Sequence, residues 1–413
     1  MNKGWETKKL GEVCSFENGD RGANYPSKAH RTINGIPFIN AGHLTRNGID
    51  VDNMDYISRD RFNLLGSGKI QKYDILFCLR GSLGKYAQVK EFSEGAIASS
   101  LVIVRPKNSL SPSILTAYFE SSICAKMIKK FSNGAAQPNL SAGNLKNFEI
   151  PIPPLPEQQR IVAILDEAFA AIEKAKANAE QNLKNVKELF DNYLDSIFVN
   201  NNEEWDKMTL SEVCVLNPPK KEARDKLLGN DLVTFLPMED LGILNKNIIG
   251  NKVRYLKDVI GSYTYFANND VLLAKITPCF ENGKIGIAGN LKNGIGFGSS
   301  EYNVFRSKGK VVPDFLYYFL SRQKFRVEGK LLMSGAVGHK RVSKDWIEKK
   351  IVNFPTTQAE QRTIVQKLDA LFAKTKKLEA IYKKKIEDLE ELKKSILQKA
   401  FNGELNTTKA VAV

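Results

Sequence analysis

Apolar residues along this chain follow two different rhythms. Over 157–198 and again over 358–402 there is no proline or glycine, and apolar side chains recur at heptad spacing. The first stretch places Leu165, Ala168, Ile172, Ala175, Ala179, Val186, Leu189 and Tyr193 in one stripe. The second places Leu368, Leu371, Leu378, Tyr382, Leu389, Leu392 and Ile396 in equivalent slots. This spacing predicts two long helices, each with a narrow apolar stripe that needs a partner. Elsewhere the apolar residues come in short runs, such as YDILFCL from Tyr73 and SLVIVRP from Ser100, broken by Gly, Asn and Pro. Such runs predict strands joined by turns. Helical patches such as SILTAYFESSICAKMI, from Ser113, are interspersed with them.

The two rhythms alternate because the chain repeats itself. Trp5 to Cys14 reads WETKKLGEVC, and Trp205 to Cys214 reads WDKMTLSEVC. Asp74-Ile75-Leu76 returns as Asp270-Val271-Leu272, Ser99-Ser100 as Ser299-Ser300, Tyr118-Phe119 as Tyr318-Phe319, and Gly134-Ala135 as Gly335-Ala336. EQQRIVAILD from Glu157 returns as EQRTIVQKLD from Glu360. The expected organisation is a mixed α/β domain over 1–156, a helix over 157–199, a second α/β domain over 200–357, a helix over 358–402 and a tail over 403–413. The simplest partner for each stripe is the other helix. About 42 residues at 1.5 Å each make roughly 63 Å, a distance the second domain would have to span if the helices ran parallel. Antiparallel pairing removes that demand, so the expected fold class is α/β (α+β): two domains related by duplication and separated by an antiparallel two-helix coiled coil.

Length and composition fit this division. The 413 residues exceed the usual size of one domain, and 42% hydrophobic with 26% charged residues is ordinary for globular proteins. No apolar run approaches the ~18 residues of a membrane span, and the opening MNKGWETKKL lacks the apolar stretch of a signal peptide, so a soluble, cytoplasmic protein is expected. Five scattered cysteines and three histidines offer neither a disulfide framework nor a zinc site. The formal net charge of +15 changes the picture more, because it points to a polyanionic partner. The surplus lies mainly in the two domains: 20 basic against 13 acidic residues over 1–155, and 24 against 17 over 199–357. Two similar basic domains related by a twofold match the symmetry of duplex DNA. Their sequences differ, so two different half-sites are expected.

At this point the chain resembles the specificity subunit of a Type I restriction-modification system. The resemblance rests on IPIPPLPEQQRIVAILDEAF (Ile150 to Phe169), its second version FPTTQAEQRTIVQKLDALF (Phe354 to Phe372), and the ending LKKSILQKAFNGEL from Leu392. NGAAQPNLS from Asn133 and SGAVGHKRVS from Ser334 add to it, and together these segments span essentially the whole chain. The second junction, Pro355-Thr356-Thr357-Gln358-Ala359, departs from the proline-rich form at Pro153 to Pro156. The resemblance implies two target-recognition domains, two spacer helices, and assembly with two modification and two restriction subunits. It also implies no cofactor in this chain, with S-adenosylmethionine, ATP and magnesium on the partners.

Enzymatic alternatives are weaker. Asn217-Pro218-Pro219 lacks the aromatic residue that adenine methylation needs, since Lys220 follows. Gly66-Ser67-Gly68-Lys69 lacks the upstream glycine and the hydroxyl residue of a nucleotide loop. A metal-dependent nuclease built on Asp314, Glu328 and Lys330 is the remaining alternative. For DNA contact, donors in glycine-bearing loops are the candidates, because they reach base edges and phosphates without a bulky scaffold intervening. They are Arg21, Arg80, Ser82, Lys85, Gln137 and Asn139 in the first domain. In the second they are Lys275, Thr277, Lys284, His339, Lys340 and Arg341.

Overall fold

The computed structural model describes residues 4–45, 48–132, 138–199, 204–248, 250, 252–336 and 338–405. The chain divides into two compact units, Met1–Ala179 with Lys384–Val413, and Glu180–Lys383. Each unit has a four-stranded antiparallel sheet of the same order. In the first, Cys14–Asn18 pairs with Leu101–Pro106, then comes Ile75–Cys78, then Tyr86–Gln88. In the second the order is Cys214–Leu216, Tyr302–Ser307, Val271–Ala274 and Ile285–Ile287.

The central strands Ile75–Cys78 and Val271–Ala274 are apolar at every position because both faces are covered. Ile75, Phe77, Val102 and Val104 face the helix Pro112–Glu120 and pack on Ile114, Leu115, Tyr118 and Phe119. Their neighbours Leu76, Cys78, Leu101 and Ile103 face a smaller second sheet and meet Ile39 and Ile97. The second unit alternates in the same way. Val271, Leu273 and Phe305 pack on the helix Pro313–Ser321, while Leu272, Ala274, Tyr302 and Val304 pack on Leu236 and Phe266. The repeated WETKKLGEVC segment acquires a structural meaning here. Glu6–Lys9 pairs with Glu149–Ile152, and Trp205–Thr209 with Ile351–Pro355, so each domain's first and last strands are tied together.

An ion pair with a buried carboxylate anchors each main sheet. Asp74 accepts from Arg105 Nε and Nη2, both at 2.7 Å, and from the Gln71 amide at 2.8 Å. Asp270 repeats this with Arg306 Nε at 2.8 Å, Nη2 at 2.7 Å and the Ala267 amide at 2.8 Å. The two carboxylates are 2% and 1% exposed. The arginines are partly exposed, and their fork-to-carboxylate geometry supplies the paired hydrogen bonds that burial of the carboxylates demands.

The two junctions into the long helices share one device. Gln158 donates through Nε2 to the Ser109 and Pro153 carbonyls, each at 2.9 Å, and accepts from the Ser111 amide at 2.8 Å. Gln361 does the same with Lys310 O, Pro355 O and the Val312 amide, at 2.8, 2.9 and 2.8 Å. The two junctions therefore form the same clamp despite their different proline content. Both glutamines are buried, so their amides have no water to fall back on. Gln361→Leu should lower the stability of its unit by about 2–4 kcal/mol, because it orphans up to three backbone groups; denaturant unfolding checks this, and Gln361→Glu should not restore it.

The long helices run Leu155–Val199 and Gln358–Asn402. In the first unit Arg160 reaches Leu405 O at 3.2 Å and Lys176 reaches Glu390 at 2.7 Å. In the second, the Phe190 and Phe372 rings lie 5.3 Å apart, and Thr356 Oγ1 donates to Glu204 O at 3.1 Å. As one helix advances, its contacts in the other recede, so within each unit the pairing is antiparallel. Cysteines at Ala168 and Ile396 should therefore crosslink on oxidation, whereas an Ala168–Leu371 crosslink would require parallel helices.

The expected stripe is corrected in detail. Ile161, Leu165, Ile172 and Ala179 are buried, but the next buried positions are Phe190, Leu194 and Phe198, while Leu189 and Tyr193 are 65% and 40% exposed. In the second helix Thr375 and Glu379 are buried, and Leu378 and Leu392 are 42% and 38% exposed. A helix of 3.6 residues per turn drifts by about 20° per heptad, and over four heptads that moves the contact line by nearly one residue. A strict heptad assumed more supercoiling than these helices have.

Candidate nucleic-acid interface

At one end of each main sheet two loop segments meet, and most of the candidate residues lie on them. In the first unit the chain leaves Ile75–Cys78 through Leu79 and Arg80. Leu79 N donates to Ser100 O at 2.9 Å, and Leu140 N donates to Leu79 O at 3.0 Å. These bonds set Arg80 opposite Asn139 in an antiparallel bridge, and Arg80 Nε donates to Asn139 Oδ1 at 3.2 Å. Arg21 Nη2 comes in from the first edge strand and donates to Ser99 O at 3.3 Å. Arg21, Arg80 and Asn139 are exposed along this line. Ser82 and Lys85 are exposed on the following turn, where Lys85 N donates to Ser82 O at 3.1 Å. Gln137 lies outside the described residues.

The second unit reproduces the junction. Lys275 N donates to Glu301 O and Val342 N donates to Lys275 O, both at 2.9 Å, and Ile276 stands opposite Arg341. Register aligns Leu79 with Lys275, Ser100 with Glu301 and Asn139 with Arg341, since Leu101 faces Cys78 as Tyr302 faces Ala274. The side chains differ. Lys275 Nζ donates to Ser300 O at 2.8 Å. Thr277 Oγ1 is held by Glu281 at 3.0 Å, and Lys284 Nζ by Met238 O at 2.7 Å, and both residues are half-buried. His339, Lys340 and Arg341 are exposed.

Glu301 is the residue that sequence reasoning missed. Arg341 donates to it through Nε at 2.9 Å and Nη2 at 2.6 Å, and through Nη1 to His339 O at 3.0 Å. Arg341, with Lys275 and His339 as weaker contributors, holds the Glu301 carboxyl below the usual carboxylate range, and the same pairing raises the Arg341 guanidinium above its own. The only sequence signal was the position of Glu301 beside the repeated Ser299-Ser300.

The enzymatic alternatives find no support. Asp314 pairs with Lys246 at 2.6 Å, whereas Glu328 is taken by Lys350, so the proposed nuclease carboxylates belong to separate ion pairs. No group of three or more His, Cys, Asp or Glu suited to a metal ion occurs among the described residues. The Gly66, Gly68 and Lys69 amides, which would have to cradle phosphates, donate instead to Asp20 and Glu17 at 2.8, 2.7 and 3.2 Å. Asn217 has φ +54° and accepts from the Val304 amide at 2.9 Å, which makes it a turn residue at a strand edge. Among the described residues no helix is long and apolar enough to cross a membrane.

The chain thus combines a duplicated α/β domain, two long helices and a loop junction at matching places in both repeats. Residues 2–181 and 202–388 match the family model for the Type I restriction modification DNA specificity domain, and the chain belongs to that family. It is 33% identical over 163 residues to the EcoAI specificity subunit of Escherichia coli, covering 39% of this chain and 27% of that one. It is 26% identical over 363 residues to the StySPI specificity subunit of Salmonella potsdam, covering 82% and 76%. The chain thus spans about a quarter of the length of the EcoAI and EcoEI subunits that it matches. In fold it is similar to the HsdS subunit from Thermoanaerobacter tengcongensis, with TM-score 0.58, 19% identity and 98% of both chains covered. A chain from a study of type I R-M complex assembly gives TM-score 0.76 at 20% identity, over 98% of this chain and 99% of that one.

Proposed function

We propose that this chain is the DNA-reading subunit of a Type I restriction-modification complex, acting in the cytoplasm on a bipartite, asymmetric duplex site. Residues 1–156 and 200–357 are the two target-recognition domains, and 157–199 and 358–402 the helices that space them. The observation that supports this best is the junction of two loop segments built identically in both repeats, with Arg80 and Asn139 in one and Ile276 and Arg341 in the other. A shared frame with exchanged side chains is what two readers of different sequences need. The chain itself has no catalytic role in this reading. Two modification subunits supply S-adenosylmethionine chemistry, and two restriction subunits supply ATP- and magnesium-dependent cleavage.

The test uses the chain assembled with its modification subunits and a library of random duplexes. Retained duplexes should share two short half-sites at a fixed spacing. Retention without a common sequence would reduce the chain to a scaffold with general DNA affinity. Methyl-donor binding by the purified chain in calorimetry would contradict the absence of a catalytic role.

A further inference from the structure

We propose that Arg341 reads a guanine in the half-site of the second domain, and that Glu301 is the positioning residue that aims it. This rests on the DNA-reading function proposed above and names the base that one contact recognises. A guanidinium has five N–H groups in a rigid plane. Among the described residues, Glu301 takes Nε and one Nη2 hydrogen, and His339 O takes one Nη1 hydrogen. One N–H remains on each terminal nitrogen. With the inner Nη1 hydrogen on His339 O, the two outer hydrogens point the same way and suit the guanine O6 and N7 acceptors in the major groove, and no other base offers two acceptors there.

The contacts already made address the entropic side of recognition. An exposed arginine loses rotamer freedom when it docks on a base. Here the fork is held edge-on by a carboxylate before any ligand arrives, and Glu301 is itself fixed, since its carbonyl accepts the Lys275 amide at 2.9 Å and its amide donates to Ser299 Oγ at 3.2 Å. The Arg341 backbone is equally fixed, exchanging both hydrogen bonds with Ser334 at 3.1 and 2.8 Å. Glu301 serves discrimination in a second way, because a phosphate would meet its negative charge while a neutral base edge would not. The first repeat has no such pair: Asn139 stands where Arg341 does, and Ser100 where Glu301 does. The first half-site is therefore read by a different contact at the corresponding position.

The experiment measures methylation by the complex assembled with its modification subunits, on duplexes carrying each base at every position of the wild-type site. The wild-type second half-site should contain a guanine whose replacement slows methylation on the order of 10- to 100-fold. Arg341→Ala should flatten the preference at that base pair and leave the first half-site and the spacing unchanged. Arg341→Lys keeps the charge without the paired N–H groups, so it should also flatten the preference, and it decides the matter if the alanine variant does not assemble. Glu301→Gln should weaken the preference at the same base pair alone. A uniform loss across all sequences in the arginine variants would make Arg341 a phosphate contact, and an unchanged guanine preference in Arg341→Lys would remove it from recognition; either overturns the inference while leaving the bipartite function intact. Absence of any bipartite preference in the wild-type complex would instead remove the proposed function.

Discussion

Cells in which residues 1–150 are replaced by the corresponding domain of a related subunit should methylate a new site that keeps one half of the old one. The expectation follows from how each domain is built. The first has its own sheet, its own Asp74–Arg105 pair and its own terminal ribbon, and its described candidate readers, Arg21, Arg80, Ser82, Lys85 and Asn139, belong to the same unit. Among the described residues, the partners of Arg341 are Ile276, Glu301, Ser334 and His339, all of the second unit. The exchange should rewrite one half-site completely and leave the other at full strength. Altering the helices should do the reverse. Four residues inserted after Ala179 add about 6 Å of helix, close to two base-pair steps of ~3.4 Å each. The spacer should change by one or two base pairs, or binding should be lost because the insertion also rotates the helix, while the bases read stay the same. A domain exchange that rewrote both half-sites would contradict independent reading.

The other large effect is on stability. Asp74→Ala should cost about 2–3 kcal/mol, because it removes a buried carboxylate that accepts three hydrogen bonds and leaves the partly exposed Arg105 with only Glu17, at 3.9 Å. The Gln71 amide loses its acceptor as well. Asp74→Asn should cost less, since it keeps one hydrogen-bond acceptor and the volume. Asp270→Ala should cost a similar amount, since Arg306 keeps Glu222 much as Arg105 keeps Glu17. Denaturant unfolding of the single and paired variants checks the order: a penalty at Asp74 no larger than that of an exposed pair such as Arg59–Glu94 would mean that burial adds nothing.

Much of this architecture was legible before any coordinates, and the reason is duplication. Two copies of one pattern show which features the fold requires, so the central strands, both long helices and their antiparallel sense could be read directly. What escaped reading depends on three-dimensional register. Leu189 and Leu378 looked like stripe positions, but the drift of a 3.6-residue helix turns them outward and brings Phe190 and Thr375 inward. The Asp74–Arg105 pair joins residues 31 apart, and neither has a sequence neighbour that hints at the other. At the candidate interface the segments were legible and the side-chain geometry was not. Arg80 and Asn139 stood out as separate donors, yet they share a hydrogen bond across 59 residues. Lys284 looked available, but its ammonium is tied to a carbonyl. Glu301 was invisible because a carboxylate is not an obvious component of a surface meant for DNA.

The central claim is that this chain selects the site its complex modifies, and genome-wide mapping of methylated adenines tests it most directly. Cells carrying the chain with its modification subunit are compared with the same cells lacking the chain alone. The account predicts one bipartite motif, with two unlike half-sites separated by a fixed number of unspecified base pairs, present in the first cells and absent from the second. A methylation pattern that is unchanged when the chain is removed would contradict it.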